Sequence, residues 1–256
     1  MSTIIFCVGA LLVYMSCLFC IALWRQNNGI ADIGYGGGFI VVTAVAVFAT
    51  APISLWQALF VVLPFIWGVR LVSRIYLKNK NKPEDFRYKA WRDAWGSSFV
   101  VRSFFQIYML QGLIIFIVAS PVVIALVYGT TILYLPLFVV GLLLWLIGFF
   151  FESAGDYQLD AFISKSESKG KIMMSGLWKY TRHPNYFGES MMWFGICGIA
   201  ISFTSIALLG IISPLLITYL LLKVSGVPML EKRWEGNAEW EVYKAKTSVF
   251  FPTLPK

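Results

Sequence analysis

The chain contains 256 residues, of which 59% are hydrophobic and only 13% charged, and its formal net charge at pH 7 is +8. Soluble domains are roughly 45–50% apolar and about 25% charged, so this chain has too little polar surface to cover a soluble globule. The composition excludes a soluble enzyme and a collagenous or disordered chain, and four cysteines are too few for a disulfide scaffold. It predicts an integral membrane protein, with room for about seven helical spans.

Long apolar runs predict where the spans lie. A transmembrane helix needs roughly 20 mostly apolar residues, and seven runs qualify, at 3–24, 34–51, 53–77, 104–128, 131–151, 187–205 and 207–225. The runs are continuous rather than alternating, which favours helices over a β-barrel. The first run lacks a basic segment and a small-residue cleavage site, so we expect a retained helix rather than a signal peptide. We predict an all-α polytopic membrane helical bundle, built as one domain over 1–256 with a cytosolic cap at 229–256.

The basic residues predict the orientation in the membrane. All 21 lysines and arginines fall in four stretches that a seven-span chain places on one side, at 25–26, 70–102, 165–182 and 223–256. Because cytosolic loops are enriched in Lys and Arg, the N-terminus is predicted to lie outside or in the lumen and the C-terminus in the cytosol. We expect a multi-pass protein of a bacterial inner membrane or of the endoplasmic reticulum, whose positive charge meets anionic lipid rather than nucleic acid.

Cysteine and histidine give no sign of a metal centre. The cysteines lie inside the apolar runs, and the one CxxC spacing, Cys17 to Cys20, falls within the first of them. His183 is the only histidine and no HExxH pattern occurs, so no metal site is predicted. The glycine-rich stretch Gly34–Gly38 opens a predicted span and follows no strand, which argues against a dinucleotide-binding loop. We expect these glycines to permit close packing of helices.

Charged residues at the cytosolic ends of the spans are the first candidates for a site. Arg70 and Arg74 are four residues apart and share one helix face, where they either extend to the lipid headgroups or bind an anion. An acidic stripe with the same spacing leaves the fifth predicted span, formed by Glu152, Asp156 and Asp160. Like charges at this spacing repel, so the stripe is predicted to have partners, among which Arg70, Arg74, Arg182 and a ligand are the candidates.

The richest polar segment is residues 176–189, which reads Gly-Leu-Trp-Lys-Tyr-Thr-Arg-His-Pro-Asn-Tyr-Phe-Gly-Glu. Proline is favoured in the first turn of a helix, so Pro184 is predicted to start the sixth span with His183 as its cap. The free amides of that helix start, with Arg182 beside them, favour a phosphate group. Asn185 and Glu189 are four residues apart and point into the bundle, where an ionisable side chain is a functional candidate.

This segment, followed by Trp193, resembles the signature of the membrane family of steroid 5-alpha-reductase-like proteins, in its branch named domain of unknown function 1295. The segments 156–158 and 83–92 resemble further landmarks of the branch, and the resemblance covers roughly 25–256. It implies seven spans and an NADPH-dependent reduction of a carbon–carbon double bond conjugated to a carbonyl, in a lipid or sterol-like substrate.

The resemblance also implies roles for individual residues. Asn185 and Glu189 match the residues that hold the nicotinamide, and Asp156 matches a residue that contacts the nucleotide. We complete the predicted cofactor-binding set with Arg70, Arg74, Arg182, His183, Tyr186 and Tyr243. The family uses a Glu and a Tyr as donors to the substrate carbonyl. By position, Asp32 or Tyr35 replaces that Glu, and Asp32 would have to be protonated to donate.

Two other functions fit the same residues. An isoprenylcysteine-type membrane methyltransferase using S-adenosylmethionine also carries Arg-His-Pro-x-Tyr before a span, and its C-terminal region resembles 231–252. A non-enzymatic lipid-binding protein is the second alternative. Asn185 followed by Glu189, together with the segment 156–158, favours the reductase.

Overall fold

The structure is a computed structural model, and it describes residues 2–80, 82–129 and 134–255. The described residues form helices joined by short turns, without a strand, so the all-α class is confirmed. Six helical segments are long and apolar enough to cross a bilayer, which agrees with a polytopic membrane protein: Ser2–Arg25, Gly29–Thr50, Leu55–Asn79, Phe86–Tyr128, Leu135–Ile163 and Ser205–Trp234. The predicted span 187–205 corresponds to a helix at Pro184–Phe203 that is not among these six. The count of seven spans and their orientation stay predictions.

The chain packs as two compact units, which we describe separately. The first unit contains Met1–Tyr134 and Ala200–Gly210, and the second contains Leu135–Ile199 and Ile211–Lys256. The single domain predicted over the whole chain stays a prediction.

The first unit is built on three long helices, α1 (Ser2–Arg25), α2 (Gly29–Thr50) and α3 (Leu55–Asn79). Helix α2 crosses α3 at two glycines, because a Cβ atom on Gly36 or on Gly68 would lie 2.8 Å from the carbonyl oxygen of the other. Such contact between backbones requires residues without side chains. The close packing predicted for the glycines of Gly34–Gly38 is confirmed.

Local sequence signals account for the helix starts of the first unit. Ser54 and Gln57 form a capping box at the start of α3, in which each side chain accepts a hydrogen bond from the other residue's backbone N–H. Asp85 caps α4 (Phe86–Trp95) by accepting from the backbone N–H of Arg87. The chain then continues through α5 (Phe99–Ser103) and a π-helical turn into α6 (Leu110–Tyr128).

The second unit is organised by α7 (Leu135–Ile163) and α8 (Pro184–Phe203). Three glycines lie seven residues apart along α7, at 141, 148 and 155, and two more lie seven apart along α8, at 188 and 195. A Cβ atom on Gly141 would lie 2.8 Å from the carbonyl oxygen of Gly195, and one on Gly148 would lie 2.5 Å from that of Gly188. The two helices therefore touch through their backbones over two turns or more.

Shorter helices complete the second unit. They are α9 (Ile212–Tyr219), α10 (Val227–Glu231) and α11 (Ala238–Lys246), and a π-helical turn follows α9, so the predicted span 207–225 is irregular. Asn237 caps α11 by accepting from the backbone N–H of Trp240 over 3.0 Å. Residues after α11 are extended and lie beside the segment that precedes α8, where Thr181 and Ser248 form an isolated parallel bridge.

Candidate functional site

The crossing of α7 and α8 brings together two of the predicted cofactor-binding residues. The amide nitrogen Nδ2 of Asn185 donates a hydrogen bond to Oδ1 of Asp156 over 3.2 Å. The approach is close because Gly155 faces the start of α8, where a Cβ atom would lie 3.0 Å from the ring of Pro184. The amide of Asn185 is therefore a partner of the acidic stripe.

Buried carboxyl groups are concentrated at this crossing. Glu152 and Asp156 on α7 are each 3% exposed, and Glu189 on α8 is 9% exposed, whereas Asp160 at the end of the stripe is only partly buried. Ionisable groups inside a membrane protein carry a high free-energy cost and are found mainly where they have a function. Their burial supports a functional site here.

Several polar atoms of this region are buried and lack a hydrogen-bond partner among the described residues. They are Nδ1 of His183, Oδ1 of Asn185, and the hydroxyl oxygens of Ser153 and Ser190. Most buried polar atoms in proteins are paired, so a cluster of unpaired ones indicates a place where a polar ligand or water supplies the partner.

Arg182 is held by the C-terminal part of the second unit. Its guanidinium donates from Nε and Nη2 to the carboxylate of Glu231, at 2.9 and 3.4 Å, and from Nη1 to the carbonyl oxygens of Lys244 and Thr247, at 3.1 and 2.6 Å. Its backbone N–H donates to the carbonyl oxygen of Ser248. Of the candidate partners of the acidic stripe, Arg182 is thus paired elsewhere, since its carboxylate partner is Glu231.

His183 shares the same carboxylate. Its Nε2 lies 2.9 Å from Oε1 of Glu231, and its ring stacks on Tyr186 with centroids 5.3 Å apart. Burial lowers the pKa of the imidazole and outweighs the opposite effect of Glu231, while Arg182 lowers the pKa further. His183 is therefore neutral at neutral pH.

Tyr243 lies on α11 with its hydroxyl already in use. The hydroxyl donates to the carbonyl oxygen of Trp178, and burial raises the pKa of the phenol. The ring lines a cavity of about 380 Å³ between α11 and the segment before α8. Lys179, Lys246 and Glu239 also line this cavity, so two ammonium groups face one carboxylate there, and the excess of positive charge suits an anionic group.

The first unit contains a second polar cluster, around Asp32 of α2. The Asp32 carboxylate accepts hydrogen bonds from the Tyr88 hydroxyl at 2.5 Å and from Nη2 of Arg87 at 3.0 Å. Asp85 holds the same guanidinium through Nε at 2.8 Å. Although burial raises the pKa of Asp85, the hydrogen bonds from Arg87 outweigh it, and the net shift is downward. Asp32 is the acceptor of both hydrogen bonds in this arrangement, one of them from a guanidinium.

A neighbouring set of contacts holds α4 on the junction between α1 and α2. Arg92 binds both carboxylate oxygens of Glu84, at 2.8 and 3.0 Å, and Glu84 accepts from the backbone N–H of Asn28 at 2.8 Å. The hydroxyl of Tyr108 donates to the side chain of Asn28. The segment that resembled a family landmark at 83–92 is thus fastened to the start of α2.

Comparison with known proteins identifies the family. The model of the family described as "Protein of unknown function (DUF1295)" matches residues 18–247, which is most of the chain. The chain belongs to the DUF1295 family. A shorter stretch of 67 residues is 36% identical to 3-oxo-5-alpha-steroid 4-dehydrogenase 1 of Mus musculus, and one of 71 residues is 38% identical to the protein of that name from Bos taurus.

These matches cover 26% and 28% of this chain, and only 25% and 26% of the relatives. The chain therefore matches about a quarter of the length of these proteins. No solved structure matches the chain. The comparisons support a multi-pass membrane protein similar to steroid reductases, as the sequence signature predicted.

Within this DUF1295 protein the predicted site residues fall into two groups. Asp156 and Glu189 are buried and Asn185 is half-buried at one helix crossing, and Arg182, His183, Tyr186 and Tyr243 lie around the segment before α8. In the other unit, Arg70 and Arg74 lie partly buried on α3, while Tyr35 of α2 packs edge-on against Phe39, with ring centroids 5.1 Å apart. Cofactor binding by these residues stays a prediction.

Sequence reasoning missed two residues that the structure places in these clusters. Tyr88 is 6% exposed and bonds Asp32, although it lies 56 positions along the chain. Glu231 joins Arg182 to His183 from 49 and 48 positions away. The charge-rich segment around Tyr88 indicates a functional region, but local sequence patterns do not predict contacts between residues so far apart in the chain.

Proposed function

We propose that the protein is a membrane reductase that uses NADPH to reduce a carbon–carbon double bond conjugated to a carbonyl, in a lipid or sterol-like substrate. The observation that carries the proposal is the hydrogen-bonded pair of Asn185 and the buried Asp156, with the buried Glu189 one turn after Asn185 along α8. The printed name of the mammalian relatives, a 3-oxo-5-alpha-steroid 4-dehydrogenase, supports this class of reaction.

The second unit offers groups that fit a nicotinamide cofactor. Unpaired buried acceptors on His183 and Asn185 suit the N–H groups of such a molecule, and the ammonium groups of Lys179 and Lys246 suit its phosphates. We assign Asp156, Asn185 and Glu189 to the nicotinamide and ribose end. When bound, NADPH supplies the hydride.

The reaction also needs a group that stabilises charge on the substrate. Hydride addition to the β-carbon of an enone builds negative charge on the carbonyl oxygen, so a hydrogen-bond donor is needed there. We assign this role to Tyr88. A substrate carbonyl would compete with Asp32 for the Tyr88 hydroxyl proton, while Arg87 would keep the carboxylate of Asp32 paired.

This assignment revises the expectation that Asp32 is the donor. A protonated Asp32 would lose its ion pair with Arg87 at 3.0 Å, whereas an ionised Asp32 keeps both of its hydrogen bonds. We therefore give Asp32 the task of positioning Tyr88. Tyr35 packs against the rings of Phe39 and Trp67, which suits a wall of an apolar substrate pocket.

Cofactor binding by the purified protein tests the proposal. In detergent, NADPH should raise the melting temperature, and S-adenosylmethionine at the same concentration should not. Asn185→Ala and Glu189→Ala should abolish the NADPH effect while the unliganded protein still melts cooperatively. Glu241→Ala, at an exposed position of α11 outside the cavity, is the control. Normal NADPH binding by both site variants would contradict the placement of the nicotinamide.

A methyltransferase that uses S-adenosylmethionine is the second candidate. The observation that favours it is the joining of Arg182 and His183 to Glu231, because the resemblance to isoprenylcysteine-type enzymes lies in those same two segments. Stabilisation by S-adenosylmethionine and not by NADPH would favour this candidate. Stabilisation by neither would favour the non-enzymatic lipid-binding protein.

A further inference from the structure

The two ring nitrogens of His183 differ in their hydrogen bonding, since one is paired and the other has no partner among the described residues. The residue is 3% exposed, Nε2 lies 2.9 Å from Oε1 of Glu231, and Nδ1 has no hydrogen-bond partner among the described residues. A buried imidazole normally uses both nitrogens. Nδ1 can therefore bind a ligand, as a donor if it carries the ring proton and as an acceptor if it does not. The contact of Nε2 with Glu231 determines which of the two applies.

The contacts of Glu231 determine the tautomer of His183. The carboxylate also binds Nε of Arg182 at 2.9 Å, so it is ionised and offers only acceptors. Nε2 of His183 must then carry the proton. Because burial lowers the pKa of the imidazole and Arg182 lowers it further against the opposing effect of Glu231, the ring is neutral. Nδ1 therefore presents a lone pair.

Asn185 presents a second bare acceptor two residues further along the chain. Its Nδ2 donates to Oδ1 of Asp156, which fixes which end of the amide is the nitrogen. Its Oδ1 is buried and has no hydrogen-bond partner among the described residues. The two residues on either side of Pro184, at the start of α8, thus both offer an unused acceptor.

Two bare acceptors select a ligand group by its chemistry. Lone pairs repel the oxygen atoms of a phosphate, and the nearby guanidinium of Arg182 is already bound to Glu231 and to two carbonyl oxygens. A primary amide or an aromatic amino group carries two N–H donors and satisfies such acceptors. The site is therefore suited to a neutral NH₂ group and unsuited to an anion.

We propose that Glu231 sets the tautomer of His183, so that Nδ1, together with Oδ1 of Asn185, receives an NH₂ group of the bound cofactor. This inference rests on the proposed function and deepens it. NADPH carries two such groups, the carboxamide of the nicotinamide and the 6-amino group of the adenine. In this scheme Glu231 is a positioning residue, since it acts on the ligand through His183.

Cofactor analogues that lack one NH₂ group test the proposal. We would measure the Kd of the full chain in detergent for NADPH, for its 3-acetylpyridine analogue, which has a methyl group in place of the carboxamide NH₂, and for its hypoxanthine analogue, which lacks the 6-amino group. Loss of one buried hydrogen bond weakens binding by about tenfold. Because Asn185 is assigned to the nicotinamide end, we expect the wild type to bind the 3-acetylpyridine analogue about tenfold more weakly than NADPH. Weaker binding of the hypoxanthine analogue instead would contradict the placement of the nicotinamide at Asn185.

Variants distinguish a positioning role from a merely structural one. His183→Phe keeps an aromatic ring for stacking on Tyr186 and leaves the pair of Arg182 with Glu231 intact, but it removes the acceptor. We expect His183→Phe and Glu231→Gln to prefer NADPH over the affected analogue less strongly than the wild type does, because only Oδ1 of Asn185 then accepts from the NH₂ group. Glu241→Gln, the same change at an exposed site of α11, should keep the tenfold preference.

The outcomes separate this inference from the proposed function. Equal Kd values of the wild type for NADPH and both analogues would overturn the inference alone. An undiminished preference in His183→Phe would also overturn it, and this variant decides the question if Glu231→Gln does not fold. An absence of NADPH binding to the wild type would contradict both the proposed function and the inference.

Discussion

Gly188 of α8 lies against Gly148 of α7 with no side chain between the two backbones, so a Cβ atom on Gly148 would come within 2.5 Å of the carbonyl oxygen of Gly188. The contact sets the distance between the helices that carry Asp156 and Asn185. This contact, the cluster around Arg182 and His183 in the same unit, and the separate cluster around Asp32 and Tyr88 in the first unit each lead to a testable expectation.

Replacing Gly188 by alanine should destabilise the protein. The added methyl group would overlap the backbone of α7 at Glu152 and Gly148, and overpacking of this kind costs about 1–3 kcal/mol or more. The free energy of unfolding, or the melting temperature in detergent, measures the effect. Gly9→Ala on α1 is the control, because nothing lies within 4 Å of a Cβ atom there. Equal melting temperatures for the two variants would contradict the backbone contact.

Arg182→Lys should loosen the segment after α11. A lysine has a single ammonium group and cannot bind the carboxylate of Glu231 and the carbonyl oxygens of Lys244 and Thr247 together. Breaking a buried ion pair costs about 3–5 kcal/mol when one partner is removed, so a smaller loss is expected for this conservative change. Limited proteolysis should cut residues 247–255 faster than in the wild type.

The control for this change is Arg233→Lys, since Arg233 is exposed and packs on the ring of Trp234. It should leave the cleavage rate unchanged. Cleavage of the Arg182→Lys protein at the wild-type rate would mean that the guanidinium does not hold this segment.

Stability should fall as the pH drops below about 6.5, the ordinary pKa of histidine. The folded protein holds His183 with a lowered pKa, so the unfolded chain binds the proton first, and the stabilisation is complete above about pH 6.5. It is lost as the pH falls through the folded pKa. Glu231, Arg182 and Tyr186 face the ring, and Arg182 opposes its protonation.

Melting temperatures of the wild type and of His183→Phe, compared between about pH 7.5 and 5.5, check this dependence. The difference between the two proteins cancels the contribution of other groups. We expect the wild type to lose stability relative to the variant on acidification. A constant difference across that range would show that His183 does not contribute.

Tyr88→Phe should slow substrate reduction without weakening cofactor binding. Removal of a positioned acid–base group lowers rates by about 10²–10⁴-fold. The measurement is kcat with an enone substrate, together with the Kd for NADPH. Tyr76→Phe, at a position 51% exposed on α3, is the matched control. An unchanged kcat would remove Tyr88 from the reaction.

The sequence predicted those features that depend on local patterns. Apolar runs located α1, α2 and α3, and the proline rule placed the start of α8 at Pro184, three residues before the apolar run itself. Helix α2 begins at Gly29, whereas the predicted span begins at 34. Hydropathy does not find the first turn of the helix because that turn carries Asp32 and is less apolar. Local hydropathy therefore finds the helices more accurately than their ends.

The sequence predicted the part of the candidate site that depends on local spacing, but not the pairs between distant residues. The spacing of four residues between Asn185 and Glu189 predicts one shared inward face, and the structure buries Glu189 and half-buries Asn185. The partners of Arg182 and Asp32 could not be found in this way, because Glu231 and Tyr88 are distant in sequence. The sevenfold spacing of glycines on α7 was a readable signal for a close helix contact that was overlooked.

The glycines of α7 and α8 have a consequence for ligand binding. If either helix shifted by one residue, a side chain would clash with the opposing backbone. The register of the two helices is therefore fixed by steric exclusion at the glycines. The carboxylate of Asp156 and the amide of Asn185 are therefore preorganised without a ligand. Binding of the proposed cofactor would then spend little free energy on ordering this helix pair, which favours high affinity.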